Sequence, residues 1–191
     1  MMRGACLYMV LGAVVLAGMQ APPPNVDAKI QKEFQKRLDD YVKLRNTARE
    51  NVHKLKPTKS AEAIEYHEAG LAHAIRELRH GVGQGQIFTP EITTEFRRLI
   101  GMTMQGEEAV RIRESLSRAE PVHLKSLRIN HRYPEGVPLQ STPPTLLLNL
   151  PKLPQALEYR VVGSALVLLD VEANLVVDFI PDVIPEVSHA R

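Results

Sequence analysis

Residues 150–180 carry most of what this chain must bury, and they limit the folds open to it. The stretch begins Leu150-Pro151-Lys152-Leu153-Pro154, a stiff lead-in, because each proline fixes φ and supplies no main-chain donor. Three apolar runs follow, at 157–162, 165–170 and 175–180, split by Gly163-Ser164 and by Val171-Glu172-Ala173-Asn174. Short runs rich in Val, Leu and Ile, bounded by turn residues, predict an antiparallel three-stranded meander. No catalytic signature runs through the segment. It predicts a core, not a chemistry.

Upstream the apolar residues recur at threes and fours. Ile30, Phe34, Leu38, Tyr41, Leu44, Ala48, Val52 and Leu55 form one apolar stripe, which predicts a helix over about 27–54, ended by Pro57. Thr58-Lys59-Ser60 is a tight corner with Ser60 as N-cap. A second helix is expected over 61–80, striped by Ile64, Leu71, Ile75 and Leu78, and so short a corner predicts an antiparallel helical hairpin. Gly81-Val82-Gly83-Gln84-Gly85 breaks that helix. Thr89-Pro90-Glu91 starts a third, with a hydroxyl cap, a proline in the first turn and an acid at the positive dipole end. That helix carries Ile92, Phe96, Leu99 and Ile100 and weakens over 101–106, and a fourth is expected over 107–118 with Val110 and Leu116 inward. Beyond Pro121, residues 122–130 read as a strand, 133–136 as a turn, and 145–148 as a single helical turn closed by Asn149. No repeat of fixed period is present. The expected class is α+β, an N-terminal helical hairpin and two further helices packed on one face of a small C-terminal meander.

The first 21 residues hold one basic residue, Arg3, an apolar run over 5–16 and then small residues, the layout of an export signal too short to span a bilayer comfortably, with an uncleaved membrane anchor as the other reading. Met19 stands where a lipidated cysteine would stand in a lipoprotein. Cys6 is the single cysteine and leaves with the signal, so the exported chain has no disulfide, thiol nucleophile or thiolate metal site. The expected organisation is 1–21 signal, 22–120 helical region and 121–191 small α+β region, the last two forming one compact unit. A net charge of +2 that includes Arg3 leaves the exported chain near +1, too balanced for a nucleic-acid partner on charge alone. With no Trp and 5% aromatic residues, stacking platforms for sugars or bases are hard to build.

Tyr41-Val42-Lys43-Leu44, Leu55-Lys56-Pro57-Thr58, Gly85-Gln86-Ile87-Phe88-Thr89-Pro90-Glu91 and the tail carry a resemblance. The exported part of the chain resembles a set of uncharacterised exported proteins of environmental Gram-negative bacteria, to which no activity is attached. Gln86 stands where that set carries an acid. Residues 154–180 are also similar to the C-terminal hairpin of the periplasmic nickel/cobalt homeostasis family, in which a Tyr-x-x-Val-Gly strand leads into an aliphatic strand. That likeness implies a shared module and not a shared function.

Candidate sites are few. His73, Glu77 and His80 recur at i, i+4 and i+7, one helix face with two imidazoles and a carboxylate for a divalent metal. Tyr66 lies two turns before His73, and the same histidines also fit a plain solvated face. His67-Glu68 begins like a zinc-protease helix, but Leu71 stands where the second histidine belongs. Ser164 sits in a two-residue turn with no nucleophile elbow around it. Asp170 and Asp178 flank the Asn174 turn and are expected to bond turn amides or cations such as Arg160. Arg97-Arg98 and Arg111-x-Arg113 read as solvated faces, with anionic lipid as the sharper alternative. The expected function is therefore a non-enzymatic exported protein of the envelope or periplasm, acting through protein–protein contacts, in which an exposed sheet edge adds a partner strand. It needs no cofactor, meets no nucleic acid and keeps no integral membrane span once the signal is removed. The alternative is a divalent-metal binding or homeostasis protein using His73, Glu77 and His80. An enzyme with a site of unfamiliar pattern is the third reading.

Overall fold

The computed structural model describes residues 27–117, 127–133 and 142–184. The export signal, the Pro22–Pro24 spacer, most of the 122–130 strand and the turn after Tyr133 lie outside the described residues, as does the Leu116 side chain. Among the described residues five helices, α1 (Ala28–Glu50), α2 (Ala61–Leu78), α3 (Pro90–Thr103), α4 (Gly106–Ser117) and α5 (Pro144–Leu148), precede three strands, β1 (Leu157–Val162), β2 (Ala165–Asp170) and β3 (Leu175–Ile180). The strands form one antiparallel sheet in the order β1-β2-β3. The fold is α+β. Among the described residues no helix is long and apolar enough to cross a membrane.

Side-chain caps set the helix starts. Asp27 accepts from the amides of Lys29 and Ile30, Ser60 from Ala63 and Thr89 from Ile92, each answering donors that a first turn leaves open. α1 stops four residues short of the expected end. Asn51 closes it by donating its side-chain amide to the Thr47 carbonyl, and Val52 and Leu55, in phase with the stripe, belong to the connection. Contacts still run antiparallel. Tyr41 meets Arg79, whereas His53, just past the end of α1, meets His67 farther back on α2. The buried face of α2 is His67, Leu71, Ala72 and Ile75, and Ile64 and Leu78 of the expected stripe are exposed. On α4, Ala109 and Ile112 are buried and Val110, about 100° round the helix from Ala109, is exposed.

The core sits between the helices and one sheet face. Phe34 of α1, Phe88, Phe96 of α3 and Tyr159 of β1 meet in one aromatic cluster with ring centroids 5.1–5.9 Å apart. Edge-to-face pairs such as Phe34–Phe96 add about 0.5–1.5 kcal/mol to the burial itself. The opposite face of the sheet, with Val167, Leu169 and Val176, is covered by Leu127 and Tyr133. Residues 127–130, expected as a strand, are coil and turn. Asn130 donates to the Val176 carbonyl, Val176 to that of His131 and Tyr133 to that of Asn174, so this segment covers the β3 edge with a single bridge, Arg132 to Leu175. β2 is thus buried along its whole length.

One irregularity sets the chemistry of the interior. Leu168 pairs with Asp178 while Leu169 pairs with Val176, so Val177 is an extra residue and β3 is bulged there. In an unbroken strand Asp178 would share a face with Val176. The bulge resets the alternation and turns Asp178 toward the helices, in the same direction as Val177. There the carboxylate accepts from the amides of Gly85 (3.0 Å), Ile87 (2.8 Å) and Phe88 (2.9 Å). Gly85 has φ +88, a conformation that only glycine adopts without strain. Asp178 thereby anchors the glycine-rich break after α2 to the sheet. Removing its carboxylate strands three amides, each at about 1–3 kcal/mol when buried. Asp178→Ala is therefore expected to lower the unfolding free energy by at least about 3 kcal/mol in chemical denaturation, and a loss below about 1 kcal/mol would show that other contacts hold the loop.

Candidate functional site

The stripe positions that break the apolar rule assemble the most unusual part of the molecule. On α1 the buried positions run Phe34, Leu38, Tyr41, Arg45, Ala48, so an arginine stands where a hydrophobe is due. On α2 the face continues from His67 through Leu71 and Ile75 to Arg79, its C-cap. Arg45 and His67 converge on the β2–β3 turn, while Arg79 reaches the bulge in β3.

Asp170, wholly buried at the end of β2, accepts from the Tyr41 hydroxyl (2.9 Å) and from Arg45 Nε (2.7 Å) through Oδ2, and from the Ala173 amide (3.0 Å) through Oδ1. Arg45 Nη2 continues to Glu172 Oε2, and Glu172 Oε1 lies 3.0 Å from His67 Nε2. His67 Nδ1 lies 3.1 Å from the His53 carbonyl oxygen. Both partners of that ring are acceptors, so both contacts are hydrogen bonds only when each nitrogen carries a proton. The cation paired with Asp170 is therefore Arg45 and not Arg160, which pairs with Glu158 on β1.

Burial, and after it the neighbouring Asp170 charge, raises the Tyr41 pKa well above the usual phenol range. Burial works against the Arg45 charge, but Asp170 and Glu172 outweigh it and raise its pKa. Burial pushes the Glu172 carboxyl up, yet the bonds from His67 and Arg45, with Arg49 nearby, hold it below the ordinary range. Breaking one partner out of such a buried pair costs about 3–5 kcal/mol, since the other charge stays behind uncompensated.

Chemically the relay is closed. Both His67 nitrogens are committed, and no hydroxyl or thiol stands on them as a nucleophile among the described residues. Ser164 donates instead to Asp182 (3.0 Å). Arg97 donates to the carbonyls of Pro181 and Asp182 and so ties α3 to the end of the sheet, whereas Arg98 pairs with Glu95 within the same helix. His73, Glu77 and His80 are all exposed. His80 lies past the end of α2, outside the helical spacing, and no group of three His, Cys, Asp or Glu among the described residues is placed to hold a metal ion.

Beside the relay runs an open groove of about 1,020 Å³ between residues 51–56 and α2, its walls including His53, Lys54, Lys56, Tyr66, His67 and His73. Tyr66 is 81% exposed and Leu55, also on the groove, 41%. His67 joins the two features, lining the groove while bonded to the relay. Sequence spacing alone passed over Arg45, Arg79 and Glu172. The signal for the two arginines was present, as charges in phase with an apolar stripe.

No family model, curated protein or solved structure matches the chain.

The sign of the relay's pH response follows from Glu172. A carboxyl depressed in the folded state adds stability that is complete above its unfolded value, about 4.3, and that is lost as pH falls through the folded one. Glu172→Gln is expected to flatten part of the decline in unfolding midpoint below about pH 4. Parallel acid limbs in the two proteins would show that Glu172 gains nothing from its bonds.

Proposed function

We propose that this chain is a non-enzymatic exported protein of the cell envelope, and that it works by holding a partner polypeptide in the groove between residues 51–56 and α2. The groove carries the proposal. At about 1,020 Å³ it reaches the upper end of ordinary binding sites, roughly 300–1,000 Å³, and Tyr66 stands out of it almost fully exposed. Aromatic side chains of this kind anchor interfaces at low entropic cost. Lys54 and Lys56 against a single acid, Glu62, favour a segment with acidic residues around an apolar anchor. Strand addition to the sheet is less favoured. Residues 130–133 cover the β3 edge, and Thr142 donates its hydroxyl to the Tyr159 carbonyl of β1. Export rests on the layout of residues 1–21, and recovery of the shortened chain from the envelope fraction tests it.

A photo-crosslinking residue at Tyr66 is expected to capture one partner in living cells, through an acidic segment, and Lys54→Glu with Lys56→Glu is expected to abolish capture while leaving the melting curve unchanged. The control is the same probe at Val110, exposed on α4. Equal capture at both positions, or a basic captured segment, would overturn the proposal.

The alternative is binding of a divalent metal by His73, Glu77 and His80, which requires the three side chains to move together from their present positions, and what favours it is that His73 opens on the same groove. A ligand that binds only the folded chain adds about 2.7 kcal/mol at a hundredfold excess over Kd. A midpoint rise selective for nickel, cobalt or zinc, lost in His73→Ala/His80→Ala, would put this reading first. A flat response sets it aside.

A further inference from the structure

His67 belongs to both the relay and the groove. It is 7% exposed, with Nε2 3.0 Å from Glu172 Oε1 and Nδ1 3.1 Å from the His53 carbonyl oxygen. Two acceptors on one imidazole require two ring protons, and so a positive charge. The His53 contact is also the link between the two sides of the groove. Among the described residues no other hydrogen bond joins residues 51–56 to α2. Asn51 and Val52 bond back to α1, at the carbonyls of Thr47 and Arg49.

Charged groups surround the ring from every side. The β2–β3 turn brings Glu172 and, behind it, Asp170. From α1 come Arg45, bonded to both acids, and Arg49, whose Nε lies 3.5 Å from Glu172 Oε1. Arg132, from residues 127–133, is paired with Glu68 of α2 at 3.1 Å. His53, Lys54 and Lys56 of the connection and Glu62 and His73 of α2 line the groove beside it. Within the relay two cations answer two acids, so the ring's own acceptors decide which nitrogen keeps its proton. Those acceptors are unequal. Glu172 offers a carboxylate and His53 a neutral carbonyl, and a bond to an ionised acceptor is roughly twice as strong. When the imidazolium gives a proton to solvent, it therefore leaves from Nδ1 and Nε2 stays bonded to Glu172. A lone pair then faces the His53 oxygen, and the link is broken.

We propose that His67 is a proton-controlled pin for the groove: charged, it fastens residues 51–56 to α2 through the His53 carbonyl, and neutral, it lets them go. Histidine changes charge between about pH 5 and 8, so the link is made at the acid end of that range and lost toward the alkaline end. Burial pushes the Glu172 carboxyl up, but its bonds from His67 and Arg45 hold it below the ordinary range, so Nε2 faces an ionised acceptor throughout. A partner lying in the groove is then released as pH rises. That consequence rests on the groove reading above, whereas the pin does not.

The test follows the His67 ring nitrogens of the full chain by NMR between about pH 5 and 8, together with the backbone order of residues 53–56. Both nitrogens are expected to carry protons at the acid end and only Nε2 at the alkaline end, with residues 53–56 losing order at the same midpoint. His67→Asn sets an amide donor near the Nδ1 position at every pH and is expected to keep residues 53–56 ordered throughout. His67→Gln sets it near Nε2 and is expected to leave them mobile throughout. If either variant fails to fold, the titration of the unaltered chain decides alone. A single ring proton at the acid end, loss of the Nε2 proton first, or backbone order that ignores the titration of the ring would overturn the proposal. Capture from position 66 at the two ends of the range tells the pin from the groove reading. A several-fold fall as pH rises supports both, and equal capture overturns the release. No capture at either end sinks the groove reading while the ring and backbone results still decide the pin.

Discussion

Asp178 is a carboxylate held inside the protein largely by main chain. No arginine or lysine among the described residues bonds it. Its charge is met by amide dipoles, three of them supplied by the stretch that follows α2. A buried carboxylate with several amide donors is a stable arrangement, but those donors must all converge. The bulge at Val177 aims the side chain, and Gly85 lets the loop wrap it. The start of α3 follows within a few residues, so the position of Phe88 and Phe96 in the aromatic cluster depends on this anchorage. Arg79, bonded to the carbonyl of the bulged residue, ties the end of α2 to the same point.

Asp170 performs the matching role at the other end of the hairpin. It draws Tyr41 and Arg45 of α1 onto the end of β2, and Glu172 brings in His67 of α2. The two helices are therefore joined to the sheet by directional contacts as well as by apolar packing. Apolar burial alone leaves helices free to rotate or slide at little cost. A buried ion pair fixes the rotation, because any other phase leaves a charge without its partner. This explains why an arginine occupies the middle of the α1 stripe, where a leucine would pack with less desolvation cost.

Much of this architecture was legible in the chain. The three strands are readable because runs rich in Val, Leu and Ile agree with the Gly163-Ser164 and Asn174 turns that split them, and α3 because Thr89-Pro90-Glu91 supplies cap, proline and acid together. The end of α1 was misread because Val52 and Leu55 keep the helical phase while Asn51 has already capped the helix. Ile64 and Leu78 were assigned inward because a stripe drawn only through hydrophobes is displaced from the true face, which His67 and Arg79 share with Leu71 and Ile75. The bulge leaves no mark in composition, since Val176-Val177-Asp178 reads as ordinary strand. Without the bulge Asp178 appears to point away from the helices, and its amide partners go unrecognised. The groove depends on how the 51–60 connection lies, which spacing along one chain does not encode.

The relay also has a consequence for how the chain acquires its structure over time. Tyr41 and Asp170 are 129 positions apart, and Arg45 and Glu172 are 127 apart. Until the last hairpin is made, Arg45 has neither Asp170 nor Glu172 to receive it, His67 lacks Glu172 and Arg79 lacks the Val177 carbonyl. Contacts so distant in sequence close late and at high loop-entropy cost. The contacts that fix the rotation of α1 and α2 therefore become available only when the final strands pair, and the C-terminal hairpin is the piece that locks the helices.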